Sequence, residues 1–493
     1  MYIVQIASEV APWAKVGGLS DVVMGLAREL ASLGHTVDTF VPKYDCLDVQ
    51  EGDLQCFNTS IRSYFQGTWY DNSLWRGHLA PKLPVTFVQS HHPSLFFDRG
   101  CIYGCDDDIN RFLYFSRAVM DVLAEQRSAP EIIHVHDWMA AAVAMLVKRG
   151  PFKRQFERTR VLLTIHNMAY QGKCQAFDLD KIGLNGVWFE SPERMQDDFS
   201  HDLNLLKGGI IFSDFATTVS ETYAKEVLSP EYGMGLHPTL QKQHLKFKGI
   251  LNGLDYLYWN PQKDPHVTYT YEVKTYLTGK KKNKQAILAE LGMKFDNTKP
   301  LAVVVTRLVQ QKGVALIRHA ILQAHAKGMQ IVVLGSAPDP AIGWDFSALA
   351  EQFESDPDVR VLLQQEEAFA HRLYAAADIV LVPSQFEPCG LTQLIALRYG
   401  AIPVVRKTGG LADTVVDVDY SGRPFEETNG FSFEHADVQG LDSALDRALA
   451  MYKKTPERWK LLVKQAMACD FSWTHSAQSY CEIYDTLAHK NTI

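Results

Sequence analysis

The chain has 493 residues, of which 46% are hydrophobic and 22% charged, and its formal net charge is −8. That length predicts two or three domains, with cores large enough to fold without disulfides or metals. No apolar run reaches the ~18 residues of a membrane span, and the negative balance argues against nucleic acid or anionic membrane as the main partner. Any anionic small ligand must therefore be held by local lysine and arginine clusters. Eight cysteines are too sparse for a disulfide framework, and Cys101 and Cys105 have no second Cys/His pair to complete a zinc set. The N-terminus offers no basic segment ahead of an apolar core, so a reduced, cytoplasmic setting is expected.

Tyr2 to Ala7 is a short apolar run and predicts a buried strand. Val22, Val23, Leu26, Leu30 and Leu33 follow at helical spacing, with Gly34 where a helix-ending glycine belongs. Between them stands Lys15-Val16-Gly17-Gly18-Leu19. Strand, glycine pair and helix form the geometry in which backbone N–H groups and the positive end of a helix meet an anion. Lys15 adds a mobile point charge, and Asp21 is suited either to cap the helix or to accept hydrogen bonds from a sugar. Taken alone, the stretch fits an ordinary strand-to-helix turn equally well.

His35 to Val41 reads as the next strand. Residues 50–84 are irregular and rich in aromatics (Tyr64, Phe65, Trp69, Tyr70, Trp75), which suits an antiparallel insertion or a carbohydrate platform, with packing as the expected role. Phe96 to Gly104 is a glycine-bracketed loop expected to line a cleft, and Phe112 to Leu123 has helical spacing. Ile132 to His136 runs into Asp137-Trp138, and Val161 to Ile165 runs into His166-Asn167. In open α/β sheets, ligands gather at the carboxyl ends of strands, so Asp137 and His166 are candidates, while His134 is expected inside its strand. Ala216 to Ser220 and Gly249 to Leu251, the latter followed by Asn252, supply further strands. About six parallel strands are expected in this half.

The rhythm breaks over residues 256–285, and the crossing between domains is expected near 260. The run Lys280-Lys281-Lys282-Asn283-Lys284 is expected to be the solvated start of a helix from Lys284 to Leu291. A second strand–helix series begins at Leu301 to Val305, with further strands at 330–334, 359–363, 378–382 and 401–405. After its first strand, Arg307 and Lys312 are five residues apart and suited to grip a diphosphate from two sides. Glu387-Pro388-Cys389-Gly390-Leu391-Thr392 follows another strand and is expected to open a helix near Gly390, a second phosphate cradle. A cysteine at such a helix start should have a lowered pKa without being catalytic. Thr408-Gly409-Gly410-Leu411 repeats the glycine-pair design of the opening loop.

In combination, Lys15-Val16-Gly17-Gly18-Leu19, His136-Asp137-Trp138, His166 to Gly172, Leu251 to Asp255, Arg307 to Gly313, Glu387 to Gln393 and Thr408 to Asp413 resemble the bacterial glycogen synthase and plant starch synthase family. The seven stretches stand in family order over nearly the whole chain. The resemblance implies an α/β protein of the GT-B type, two Rossmann-like doubly wound domains facing across a deep cleft. The domains then run 1–258 on the acceptor side and 259–474 on the nucleotide-sugar side, with a C-terminal helix, 475–493, returning to the first. The implied reaction is transfer of glucose from ADP-glucose to the non-reducing end of an α-1,4-glucan, glycogen or a malto-oligosaccharide, with retention and without cofactor or metal.

Carried over residue by residue, the catalytic set is Glu387, His166, Asp137, Arg307 and Lys312. Glu387 is implied to orient the glucose hydroxyls, His166 to lie near the reacting sugar and Asp137 to face the donor–acceptor junction. The nucleotide-sugar set is Lys15, Gly17, Gly18, Asp21, Asn252, Cys389, Gly390, Leu391, Thr392, Gly409 and Gly410. Two positions depart from the family pattern: Met139 stands where a polar residue is usual, and Gln365 where many relatives carry a tyrosine suited to stacking on adenine. Gln365 keeps UDP-glucose open as an alternative donor. A catalytically weak glucan-binding protein on the same scaffold would be marked by loss of Glu387 or the phosphate-site cations, and all are retained.

Overall fold

The computed structural model describes residues 1–50, 52–80, 83–364 and 366–489. The chain divides into two compact units, one formed by Met1–Gly253 and Trp473–Ile493, the other by Leu254–Ser472.

The first unit is built on a nine-stranded sheet. From one edge its order is Phe247–Gly249, Phe215–Thr218, Arg160–Ile165, Ile132–His136, Tyr2–Ile6, Thr36–Pro42, Leu83–Ser90, Thr68–Ala80 and Gln55–Phe65. The first seven are parallel, and the last two continue antiparallel. The central strands are buried on both faces by helices, which is why they read as continuous Val/Ile/Leu runs rather than alternating ones. Residues 55–80 are thus an antiparallel insertion: Phe65 is buried in the core, while Trp69 is 52% exposed. The C-terminal helix Trp473–His489 buries Tyr480 and Tyr484 in this unit, and its Trp473 indole occupies the space that a Cβ on Gly25 would need.

The second unit carries a six-stranded, all-parallel sheet in the order Val359–Leu362, Gln330–Leu334, Leu301–Val305, Ile379–Val382, Ile402–Arg406 and Phe431–Phe433. The last of these was not expected from sequence; at three residues it is too short to carry a period. In chain order this is 3-2-1-4-5-6, the doubly wound arrangement whose crevice lies where the strand order reverses. The reversal falls between Leu301–Val305 and Ile379–Val382. In the first unit it falls between Tyr2–Ile6 and Ile132–His136.

One expectation is overturned in the second unit. The lysine run does not begin a helix but lies in the middle of one, Tyr276–Glu290, and two of its lysines, with Asn283, are buried. Spacing of four puts Lys280 and Lys284 on one helix face. Lys280 Nζ donates to the carbonyls of Tyr374, Ala375 and Tyr399 at 3.0–3.4 Å, and burial lowers its pKa to about 7. Lys284 Nζ donates to Lys299 O at 2.6 Å and pairs with Asp378 at 2.8 Å. Lys281 and Lys282 alone of the four lysines face solvent.

Candidate active site

In the first unit, candidate residues gather at the carboxyl ends of the strands beside the reversal. The glycine loop is ordered by Glu9, a residue that the sequence reading missed. Its carboxylate accepts from the backbone N–H groups of Val16 at 2.7 Å and Gly17 at 3.0 Å, and from Tyr103 OH at 2.6 Å. Two of the amides expected to be open for an anion are therefore engaged by a buried carboxylate, whose pKa burial raises. The signal that would have found Glu9 is the one used for Asp137, an acid directly beyond a buried strand. The helix Gly18–Ser32 starts from Gly17 without a side-chain cap; Asp21 instead pairs with Lys15 at 3.1 Å. The N-cap position therefore falls on Gly17 and not on Asp21, which stands in the first turn of the helix.

Asp137 opens the helix Asp137–Arg149 with φ +56°, a left-handed conformation that is strained for a non-glycine residue. Its carboxylate reaches the next strand end, accepting from the backbone N–H of His166 at 2.7 Å. Burial pushes its pKa up to about 7, against the opposing effect of the His166 and Asn167 amides. The half-buried His166 is held through its ring: Nε2 lies 3.0 Å from Nδ1 of His136, whose Nε2 lies 3.0 Å from Oε1 of Gln5. Desolvation lowers the His166 pKa to about 3. His134, inside its strand, is fully buried between Tyr484 and Thr164. Met139 is buried in the core and takes part in the network only through its carbonyl, which accepts from Ser116 Oγ at 3.2 Å. The loop 96–104 is pinned from inside by the buried Arg111, which donates to the carbonyls of Phe96, Cys101 and Ile102. Asn252 is buried near the returning helix, with its Oδ1 lacking a hydrogen-bond partner.

In the second unit, the loops after the two strands at the reversal meet in an ion pair. Lys312 Nζ lies 2.8 and 2.6 Å from the two oxygens of Glu387, and Ser384 Oγ donates to the same carboxylate at 2.8 Å. Glu387 is 5% exposed, so the pair is held in a partly desolvated setting where its charges interact strongly. Ser384 was not expected from sequence; like Glu9 and Asp137, it follows its strand, here Ile379–Val382. Gly313, with φ +73°, turns the chain from Lys312 into the helix Val314–Lys327, and a Cβ there would strike Pro383 O. Gly409, with φ +45°, lies against Glu387 O, and Gly410 N–H donates to that same oxygen at 3.1 Å. Side chains on this glycine pair would push the Glu387 loop away from its lysine.

Arg307 is exposed, and its guanidinium makes no hydrogen bond or ion pair with the described residues. Cys389 is buried, and its carbonyl accepts from Gln393. The helix expected to open near Gly390 begins at Thr392, with Leu391 at its N-cap, so Cys389 stands three residues ahead of it. Gln365 lies outside the described residues. Among the described residues there is no group of three or more His, Cys, Asp or Glu side chains that could hold a metal ion, and no helix is long and apolar enough to cross a membrane.

Two Rossmann-like units, each with its polar groups at the reversal of strand order, define the GT-B class of glycosyltransferase. The profile described as "Starch synthase catalytic domain" matches residues 2–242, and "Glycosyl transferases group 1" matches residues 292–464. The chain is 46% identical to a glycogen synthase from Protochlamydia amoebophila over the whole of both proteins. It is 48% identical to a probable starch synthase 4 of Arabidopsis thaliana over 98% of this chain and 47% of that one, so it spans about half of the plant protein. Among solved structures, the catalytic domain of Arabidopsis starch synthase IV, bound to ADP and acarbose, superposes with a TM-score of 0.96 at 47% identity, over 99% of each chain. The chain belongs to the glycogen synthase and starch synthase family of glucosyltransferases.

Proposed function

We propose that the chain transfers glucose from ADP-glucose to the non-reducing end of an α-1,4-glucan with retention of configuration. The observation that carries this reading is the likeness to the ADP- and acarbose-bound starch synthase IV domain over essentially the full length of both chains. ADP is the diphosphate that transfer from ADP-glucose would leave behind, and acarbose is an oligosaccharide analogue suited to an acceptor subsite.

Breaking the bond between C1 and phosphate oxygen puts oxocarbenium character on the sugar and negative charge on the departing diphosphate. Arg307 and Lys312 supply countercharge where it grows, which lowers the barrier more than it strengthens ground-state binding. Lys312 already holds a carboxylate at 2.6 Å, so a diphosphate would share a cation that Glu387 has oriented. Glu387 is assigned to the glucose hydroxyls, with Gly390, Leu391, Thr392, Gly409 and Gly410 forming the backbone around it. His166 is assigned to the reacting sugar and Asp137 to the donor–acceptor junction, while Lys15, Gly17 and Gly18 are assigned to the nucleotide sugar, Lys15 as a further countercharge. The preferred mechanism is a front-side displacement: the acceptor 4-hydroxyl attacks C1 from the face the phosphate leaves, and the leaving phosphate oxygen takes its proton.

The test compares radiolabelled ADP-glucose and UDP-glucose side by side, with purified protein and a glycogen primer. The reading predicts label in glucan from ADP-glucose at the higher kcat/KM. Incorporation from UDP-glucose alone would overturn the donor assignment, and none from either would overturn the reading.

A further inference from the structure

The first unit contains three imidazoles in a row, running from the sheet interior to a strand end. His134 stacks on His136 with ring centroids 4.3 Å apart, and His136 hydrogen-bonds His166. His134 itself is fixed by Tyr484 OH at 2.8 Å and Thr164 Oγ1 at 2.6 Å. At the inner side of His136 stands Gln5, fully buried, whose Nε2 donates to Val23 O at 3.3 Å.

These contacts determine where the protons sit. A carboxamide has one donating and one accepting end, and a main-chain carbonyl only accepts. Val23 O therefore takes the Gln5 amino group, which turns Oε1 toward His136. Nε2 of His136 must then carry the hydrogen. Burial keeps His136 neutral, its pKa lying well below the ordinary histidine value, so its Nδ1 is a bare acceptor. His166 must donate to it through Nε2–H. Neutral as well, since desolvation lowers its pKa to about 3, His166 is left with a bare Nδ1, and no group among the described residues hydrogen-bonds to that atom.

We propose that Gln5 and His136 are positioning residues that lock His166 in its Nε2–H tautomer, so that Nδ1 is presented as an obligatory acceptor to a hydroxyl of the transferred sugar. The proposal rests on the reading of His166 as a sugar-contacting residue. A locked acceptor admits one orientation of the hydroxyl, with its hydrogen toward the ring, and so fixes the sugar about the bond to be broken. A network that served only to satisfy buried polar groups would need the same bonds, yet its tautomer would have no bearing on turnover.

The experiment uses the full chain labelled with 15N-histidine, with the His166 signals identified by their loss in His166→Asn. The wild type should show His166 protonated at Nε2 and bare at Nδ1; the opposite pattern would overturn the proposal. Gln5→Leu and Gln5→Met remove the acceptor, free His136 to protonate Nδ1, and should let His166 populate the Nδ1–H form. The kcat/KM for ADP-glucose should then fall by about tenfold, the scale of one hydrogen bond, while ADP affinity is kept. Wild-type tautomers in both folded variants would refute the positioning role. A shifted tautomer with unchanged turnover would refute the sugar contact of His166 while leaving glucosyl transfer itself intact. Should either Gln5 variant fail to fold, the wild-type spectrum and the other variant still decide.

Discussion

At the strand ends beside the reversal in the first unit, the buried polar groups are neutral imidazoles, one carboxamide and the carboxyl groups of Glu9 and Asp137, which burial drives toward protonation, with the Lys15–Asp21 ion pair on the glycine loop beyond them. At the corresponding place in the second unit they are a lysine ammonium and a carboxylate in two-oxygen contact, with a serine hydroxyl alongside. The same topology thus supports two electrostatic regimes. Neutral groups can hold sugar hydroxyls by direction without competing for the diphosphate. A charged pair can respond to charge that develops as the donor bond breaks. In the proposed reaction, this arrangement would separate orientation of the sugar from stabilisation of the leaving group.

Removing charge from the second unit should have the largest effect. Lys312→Ala and Arg307→Ala are each expected to lower kcat by roughly a hundredfold, the effect of losing one contact of ~3 kcal/mol to transition-state charge. Turnover within threefold of wild type in either variant would remove that residue from the account.

Asp137→Asn sharpens the contrast from the other side. A carboxyl group with a folded pKa of about 7 and an unfolded value near ~3.9 binds more protons folded than unfolded between those limits. Its ionisation therefore destabilises the protein as pH rises through that window, fully so above 7, and costs nothing below the unfolded value. Asparagine tolerates the left-handed backbone and can still accept from the His166 amide. The variant should gain about 1–3 kcal/mol in denaturant unfolding at pH 8, with no gain at pH 4, and should lose activity. An equal change at both pH values would contradict the burial of an ionised group.

A further effect, confined to one strand of the first unit, is expected from acid. His134, His136 and His166 are all lowered by burial, so their contribution to stability is fully present above the unfolded value near ~6.5 and is lost as pH falls below it. Hydrogen exchange should show the strand Ile132–His136 losing protection between about pH 6 and 4 before the strand Ile379–Val382 does. Loss in the reverse order would contradict the neutral-imidazole picture.

Much of this was legible in the sequence, because parallel strands buried on both faces announce themselves as short apolar runs, and strand ends bearing Asp137, His166 and Glu387 stand out against them. The insertion at 55–80 read as irregular because its hairpin carries register shifts near Cys56, Asn58 and Ile61, which break the alternation. Lys280 and Lys284 were misread because charge normally marks a solvated face; the carbonyl partners of Lys280 lie far off in sequence, at 374–399, and so does Asp378, which pairs with Lys284. The roles of Glu9 and Gln5 depend on which strands are neighbours. Gln5 reaches His136 only because Tyr2–Ile6 pairs with Ile132–His136, and no local pattern reports that pairing.

The division of labour between the two units is tested most directly by titrating ADP into wild type, Lys312→Ala and His166→Asn by calorimetry, alongside turnover of ADP-glucose by each. The account predicts that both variants lose turnover, that Lys312→Ala binds ADP at least about tenfold more weakly, the scale of a charge-assisted contact, and that His166→Asn binds ADP as wild type does. Equal weakening of ADP by the two variants, or wild-type ADP affinity in Lys312→Ala, would contradict it.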